Sequence, residues 1–97
     1  MLRISTSEDE QAVAIRLEGR VAGPWVDELV GAWKAMAPRV GEKKLQLDLR
    51  GVTFADDSGK QALRKIYAES GAEIVAKTAW SDYLAEEIRS NQNSNLA

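Results

Sequence analysis

The sequence predicts an α/β (α+β) single domain, a mixed four-stranded sheet with three helices in the order β-β-α-β-α-β-α. Three observations predict it. Two short apolar runs open the chain, Leu2-Arg3-Ile4-Ser5 and Ala12-Val13-Ala14-Ile15-Arg16-Leu17, split by polar Ser7-Glu8-Asp9-Glu10-Gln11. That pattern is a hairpin, which makes the first strand pair antiparallel. Strand-like and helix-periodic segments then alternate, which implies parallel pairs joined by right-handed crossovers. Finally, 97 residues with 44% apolar and 29% charged side chains suit one folded core rather than a disordered chain.

Each element has its own local reason. The second strand should end near Glu18-Gly19, and Gly23-Pro24 then punctuates a helix start with Pro24 at the first helical position. Val26, Leu29, Val30, Trp33 and Ala37 recur at i, i+3, i+4 and i+7 spacing, the stripe of a helix buried on one side. Asp27 and Glu28 favour its first turn, and Pro38 with Gly41 marks its end. Lys43-Lys44 opens a third strand, Leu45 to Leu49, expected in the middle of the sheet. A second helix begins near Asp57 with Ala62, Leu63, Ile66, Tyr67 and Ser70 on one face, and Gly71 is its left-handed C-cap. Ala72 to Ala76 is the fourth strand, and Ser81 caps a last helix carrying Leu84 and Ile88. Residues 1–90 make the domain and 91–97 a polar tail. Trp33 belongs to the core, Trp25 packs at an edge, and Trp80 packs the last helix onto the sheet.

Composition excludes whole classes of chemistry. With no cysteine there are no disulfides, thiolate nucleophiles or cysteine metal sites, and with no histidine there is no Ser-His-Asp machinery and no histidine-ligated zinc. The net charge of −2, with both signs interspersed, gives no footprint for nucleic acid. No apolar run approaches the roughly 20 residues that span a bilayer, and the acidic Glu8-Asp9-Glu10 is unlike a secretory leader. A cytoplasmic location is the expectation, without cofactor or metal and without direct membrane insertion.

The most informative segment is Val52-Thr53-Phe54-Ala55-Asp56-Asp57-Ser58-Gly59. It leads from the third strand into the second helix, where free backbone N–H groups and the helix dipole favour negative charge. Such a mouth can be a plain cap, a phosphorylation switch or an anion site, and either Asp56 or Asp57 can serve as the cap. Gly59 in a first helical turn points to close backbone approach or a need for room near the surface. Asp48, Asp56 and Asp57 also form a candidate set of metal-binding carboxylates, though two adjacent acids on a capped turn are a weak signal for an enzyme.

These residues resemble the STAS domain, the fold of bacterial anti-sigma factor antagonists and of the cytoplasmic tails of sulfate transporters. The resemblance runs from Ile15-Arg16-Leu17-Glu18-Gly19-Arg20-Val21, through Leu45-Gln46-Leu47-Asp48-Leu49-Arg50-Gly51-Val52-Thr53-Phe54, to Asp56-Asp57-Ser58-Gly59. That last stretch is similar to the family's Asp-Ser-Ser/Thr-Gly signature. The resemblance implies a non-catalytic protein-interaction module. Its partner would be an anti-sigma factor of the serine-kinase type, which phosphorylates the hydroxyl directly after the signature Asp. Here that position is Asp57, so the partner-switch cycle loses its usual acceptor and Ser58 is the remaining phosphorylation candidate.

A phosphate would bring about −1.5 to −2 charges to the mouth, where Asp57 brings one permanently. After the signature Gly, family members carry a small apolar pair, whereas this chain has Lys60-Gln61, followed by Arg64 and Lys65. Asp56, Asp57, Ser58, Gly59, Lys60, Gln61 and Arg64 are accordingly the expected partner-binding and switch residues. The alternative implied by the resemblance is an accessory subunit seated on the ATPase subunit of a lipid-transporting ABC system. A homodimer is compatible with either.

Overall fold

Residues 1–90 are described by a computed structural model, so the expected polar tail at 91–97 lies outside the described residues. Period-two alternation builds the first hairpin, in which β1 (Leu2–Glu8) and β2 (Ala12–Val21) pair antiparallel from Leu2↔Gly19 to Glu8↔Val13. The turn is tighter than the polar run suggested, because Asp9 Oδ1 accepts from the Gln11 and Ala12 N–H groups, each at 2.8 Å. A side chain that satisfies its own turn leaves Ser7 and Glu8 free to stay on the ladder.

The remaining elements are α1 (Trp25–Val40), β3 (Lys44–Ala55), α2 (Asp57–Ser70), β4 (Glu73–Val75) and α3 (Ala79–Ser90). The strands lie in the order β1-β2-β3-β4, with β3 parallel to both β2 and β4. The predicted class and element order therefore hold, and β3 is a central strand. Val13, Ile15 and Leu17 of β2 and Leu45, Leu47 and Leu49 of β3 form one buried row of the sheet. The helices cover it with Leu29 and Trp33, Leu63 and Ile66, and Leu84 and Ile88. The opposite sheet face carries Arg16, Glu18, Gln46 and Arg50 and meets solvent. An antiparallel start with one solvated face explains the clean alternation of the early strands.

Several boundaries differ from the sequence reading, and four of them have a clear physical reason. β2 continues past Glu18-Gly19 and β3 past Leu49-Arg50-Gly51, since Val21, Val52 and Ala55 are buried and keep both strands on the sheet. Shifts in register between Arg16 and Glu18 and between Gly19 and Arg20 absorb the irregularity. Pro38 does not end α1 but sits inside its last turn, where it forgoes the N–H that would bond the Lys34 carbonyl. Buried Val40 holds that turn down, and its carbonyl accepts from Lys43 N–H at 2.7 Å. The last helix starts two residues ahead of Ser81, and Thr78 is its cap. Thr78 Oγ1 accepts from Ser81 N–H at 3.0 Å while Ser81 Oγ accepts from Thr78 N–H at 2.9 Å. This is a reciprocal capping box with a fully buried serine in place of the usual glutamate.

Two further offsets are small: Pro24 lies just ahead of α1 rather than at its first position, and β4 spans Glu73–Val75 rather than Ala72–Ala76. Gly71 takes the left-handed conformation (φ 64°, ψ 33°) and returns its N–H to Tyr67 O at 2.8 Å. Trp33 is buried and donates Nε1–H to Glu69 Oε1 at 2.8 Å, while Trp25 and Trp80 pack half-buried against the core. No helix among the described residues is long and apolar enough to cross a membrane.

Leu47 is fully buried on the central strand, between the helix layer and its strand neighbours. Leu47→Ala should cost about 2–5 kcal/mol, read as a lower urea midpoint at unchanged slope.

Candidate functional site

Because β2 and β3 run parallel, both leave the sheet at the same end, where Val21 pairs with Ala55. β2 passes through Ala22-Gly23-Pro24 into α1, and β3 passes through Asp56 into α2. The mouth singled out in the sequence lies where these two crossovers begin.

Of the two candidate caps, Asp56 is the one used. Its backbone is extended (φ −84°, ψ −178°), and Oδ1 accepts from Gly59 N–H at 2.7 Å and from the Ser58 hydroxyl at 2.9 Å. Oδ2 accepts from Gly23 N–H at 3.0 Å, across the gap to the β2–α1 connection. One carboxylate thus caps α2 and ties down the neighbouring crossover. The N–H of Gly23 first, then that of Gly59, holds the Asp56 carboxyl below the ordinary value of 3.8, with the Ser58 hydroxyl adding to the effect.

Gly59 is buried directly beneath the Val21 carbonyl, and any Cβ there would overlap that oxygen. Close backbone approach, rather than room at the surface, is why glycine stands in this first turn. The same Val21 oxygen accepts from Asp56 N–H at 3.3 Å.

The remaining site residues divide between exposed and engaged. Asp57, Ser58 and Gln61 are exposed, and Arg64 is half-buried. The Ser58 hydroxyl already donates to Asp56, so its oxygen sits beside a carboxylate that repels an incoming phosphoryl group. Lys60 is folded back onto α3 rather than extended. Its Nζ lies 3.4 Å from Glu87 Oε1 and 5.6 Å from the centre of the Tyr83 ring, leaving the side chain 18% exposed. Tyr83 in turn donates to Glu87 at 3.2 Å and stacks on Trp80 with ring centres 5.7 Å apart. The basic side expected on α2 is therefore partly neutralised from within.

Sequence reasoning missed three participants. The Gly23 N–H is a backbone group that no side-chain pattern reveals, although Gly23-Pro24 did mark the loop. Phe54 is 40% exposed with the Arg20 guanidinium 4.6 Å from its ring centre. Tyr83 is exposed beside the Leu84 and Ile88 stripe, a phase the helical spacing already implied.

The three candidate metal carboxylates do not converge. Asp48 is gripped by the Arg50 guanidinium at 2.7 and 3.0 Å and by the Arg50 N–H at 3.0 Å, and the Arg50 side chain chiefly lowers its pKa. Among the described residues no three acidic side chains cluster as metal ligands. A depression of about 570 Å³ lies at the other end of the sheet, lined by residues such as Arg39, Glu42 and Lys43, and it includes no residue of the mouth.

No family model and no curated protein matches the chain. The chain is similar to a solved structure described as a crystal structure of Mglu, with a TM-score of 0.56 and 19% sequence identity. The match covers 76% of this chain and 19% of that one, so the chain spans under a fifth of that protein's length. At such identity the likeness shows the fold alone, a four-stranded mixed sheet under three helices.

Gly59→Ala should lower stability by about 1–3 kcal/mol despite alanine's better helix propensity, because the methyl must displace the Val21 carbonyl. Thermal denaturation of the two proteins measures it. Asp56 sets a pH dependence of definite sign. Its folded pKa is depressed, so its contribution is complete above 3.8 and is lost as pH falls through the lower folded value. Asp56→Asn should be less stable at neutral pH and should flatten the acid limb of the stability–pH curve. Equal slopes for the two proteins below pH 3.8 would contradict that assignment.

Proposed function

We propose that this chain is a cytoplasmic, non-catalytic regulatory module that docks another protein at the mouth of α2, in the manner of a STAS-domain anti-sigma factor antagonist. The observation that carries this reading is the exposed Asp57-Ser58 pair, presented at a helix mouth that Asp56 and Gly59 make rigid. The resemblance places the acceptor hydroxyl at position 57. A carboxylate there gives the mouth standing negative charge in the positive field of the helix terminus.

The surface chemistry supports docking rather than turnover. The carboxylates of Asp48 and Asp56 are both consumed by structural hydrogen bonds. Asp57, Ser58 and Gln61 remain exposed on α2, with exposed Tyr83 beside Lys60 on α3. Tyrosine is among the side chains most often found at the energetic centre of protein interfaces. The fixed charge at residue 57 makes the module a constitutive binder or a constitutively switched state, not a reversible phosphorylation target.

Isothermal titration against purified kinase-type anti-sigma factors encoded by the same genome tests the reading. Binding should be measurable, and Asp57→Ser should tighten it roughly tenfold by removing the standing negative charge, while creating an acceptor that the kinase phosphorylates. Absence of binding by both proteins would overturn it. Binding instead to a lipid-transporter ATPase subunit would replace it with the accessory-subunit reading.

A further inference from the structure

β1 closes one side of the sheet, and among the described residues nothing pairs with its outer edge. The phase of that edge follows from one bond. Arg20 N–H donates to the Met1 carbonyl at 3.0 Å, so Met1 and every second residue after it aim their backbone groups at β2. Leu2, Ile4, Thr6 and Glu8 therefore turn theirs outward. Proteins protect such edges with prolines, lysines, bulges or short strands. β1 has none of these, since its register against β2 is unbroken and its only charges are Arg3 and Glu8 near its ends. Glu8 is already paired with Lys43 at 2.6 Å. The opposite edge, β4, is three residues long and too short to template a partner.

We propose that β1 is a homodimer interface, two copies joining antiparallel about a two-fold axis at Ser5 to form one sheet continuous across both. A second copy fits because the edge is complementary to itself. Full overlap of Leu2–Glu8 with its mate sets Leu2 opposite Glu8, Arg3 opposite Ser7 and Ile4 opposite Thr6, so no like charges face each other. Every outward N–H and C=O of Leu2, Ile4, Thr6 and Glu8 finds a partner in that register. Ile4, half-buried at the rim of the core, has its open flank covered by the second copy. Among the described residues the helices pack chiefly on β2 and β3.

The chain contains no cysteine, so a single engineered thiol reports the register directly. Across the two-fold axis, Ser5 meets its own mate in a non-hydrogen-bonded pair with Cα atoms about 4.5 Å apart, within disulfide range. Ser5→Cys should oxidise to a covalent dimer at least roughly tenfold faster than Ser7→Cys, whose mate is Arg3. Sedimentation equilibrium over micromolar to millimolar wild-type protein should approach twice 10.7 kDa. Thr6→Pro removes only an outward N–H and should sediment as a monomer with unchanged circular dichroism. Ser5→Arg, at an exposed position, should dissociate the dimer by facing like charges. A wild-type monomer throughout, equal oxidation of the two cysteine variants, or a dimer that survives both Thr6→Pro and Ser5→Arg would overturn the assignment.

Discussion

The carbonyl of Val21 is the constraint around which this end of the sheet is arranged. Parallel pairing of β2 with β3 brings two departing chains to one place, and both must turn at once. The Val21 oxygen accepts from Asp56 N–H and lies against Gly59, so the start of α2 is pressed onto the end of β2. Asp56 then reaches across to Gly23 and fixes the start of the α1 connection. Remove the space at Gly59 or the acceptor at Asp56, and both crossovers lose their common reference.

Most of the architecture was legible because it follows from periodicity. Alternation in Ala12–Leu17, the apolar run Leu45–Leu49 and the stripe from Val26 to Ala37 each named an element and its buried side. The ends were less legible, for a consistent reason. Gly19, Gly51 and Pro38 are local stop signals, yet each lies inside an element because buried neighbours such as Val21, Val52 and Val40 outweigh the local preference. Thr78 escaped notice since capping depends on which oxygen reaches which N–H, and Thr78 and Ser81 were both chemically able to do it.

The site divides along the same line. That one of Asp56 and Asp57 caps α2, and that Gly59 stands there for want of space, were readable from residue type and position, but the choice of Asp56 and of the Val21 carbonyl as neighbour was not. The Gly23 bond was not, because it joins residues 33 apart through a backbone group. Nor could the sequence show that Lys60 folds onto Tyr83 and Glu87, since that contact exists only once α2 and α3 lie side by side. What the mouth offers a partner is consequently narrower than its composition suggests: an acidic tip, an amide and an aromatic ring, with the nearest cation already claimed.

The bond between Trp33 and Glu69 takes on a further meaning beside the one between Asp56 and Gly23. The first joins α1 to the last turns of α2, and the second joins the approach to α1 with the beginning of α2. Two helices tied at two separated points cannot slide along each other without breaking one of these polar contacts. The α1–α2 face is thereby a stiff plate rather than a hinged one, and a partner docking there as proposed would meet a fixed frame. Association there spends little conformational entropy on ordering the backbone, and selectivity has to come from the fit of side chains on a fixed frame.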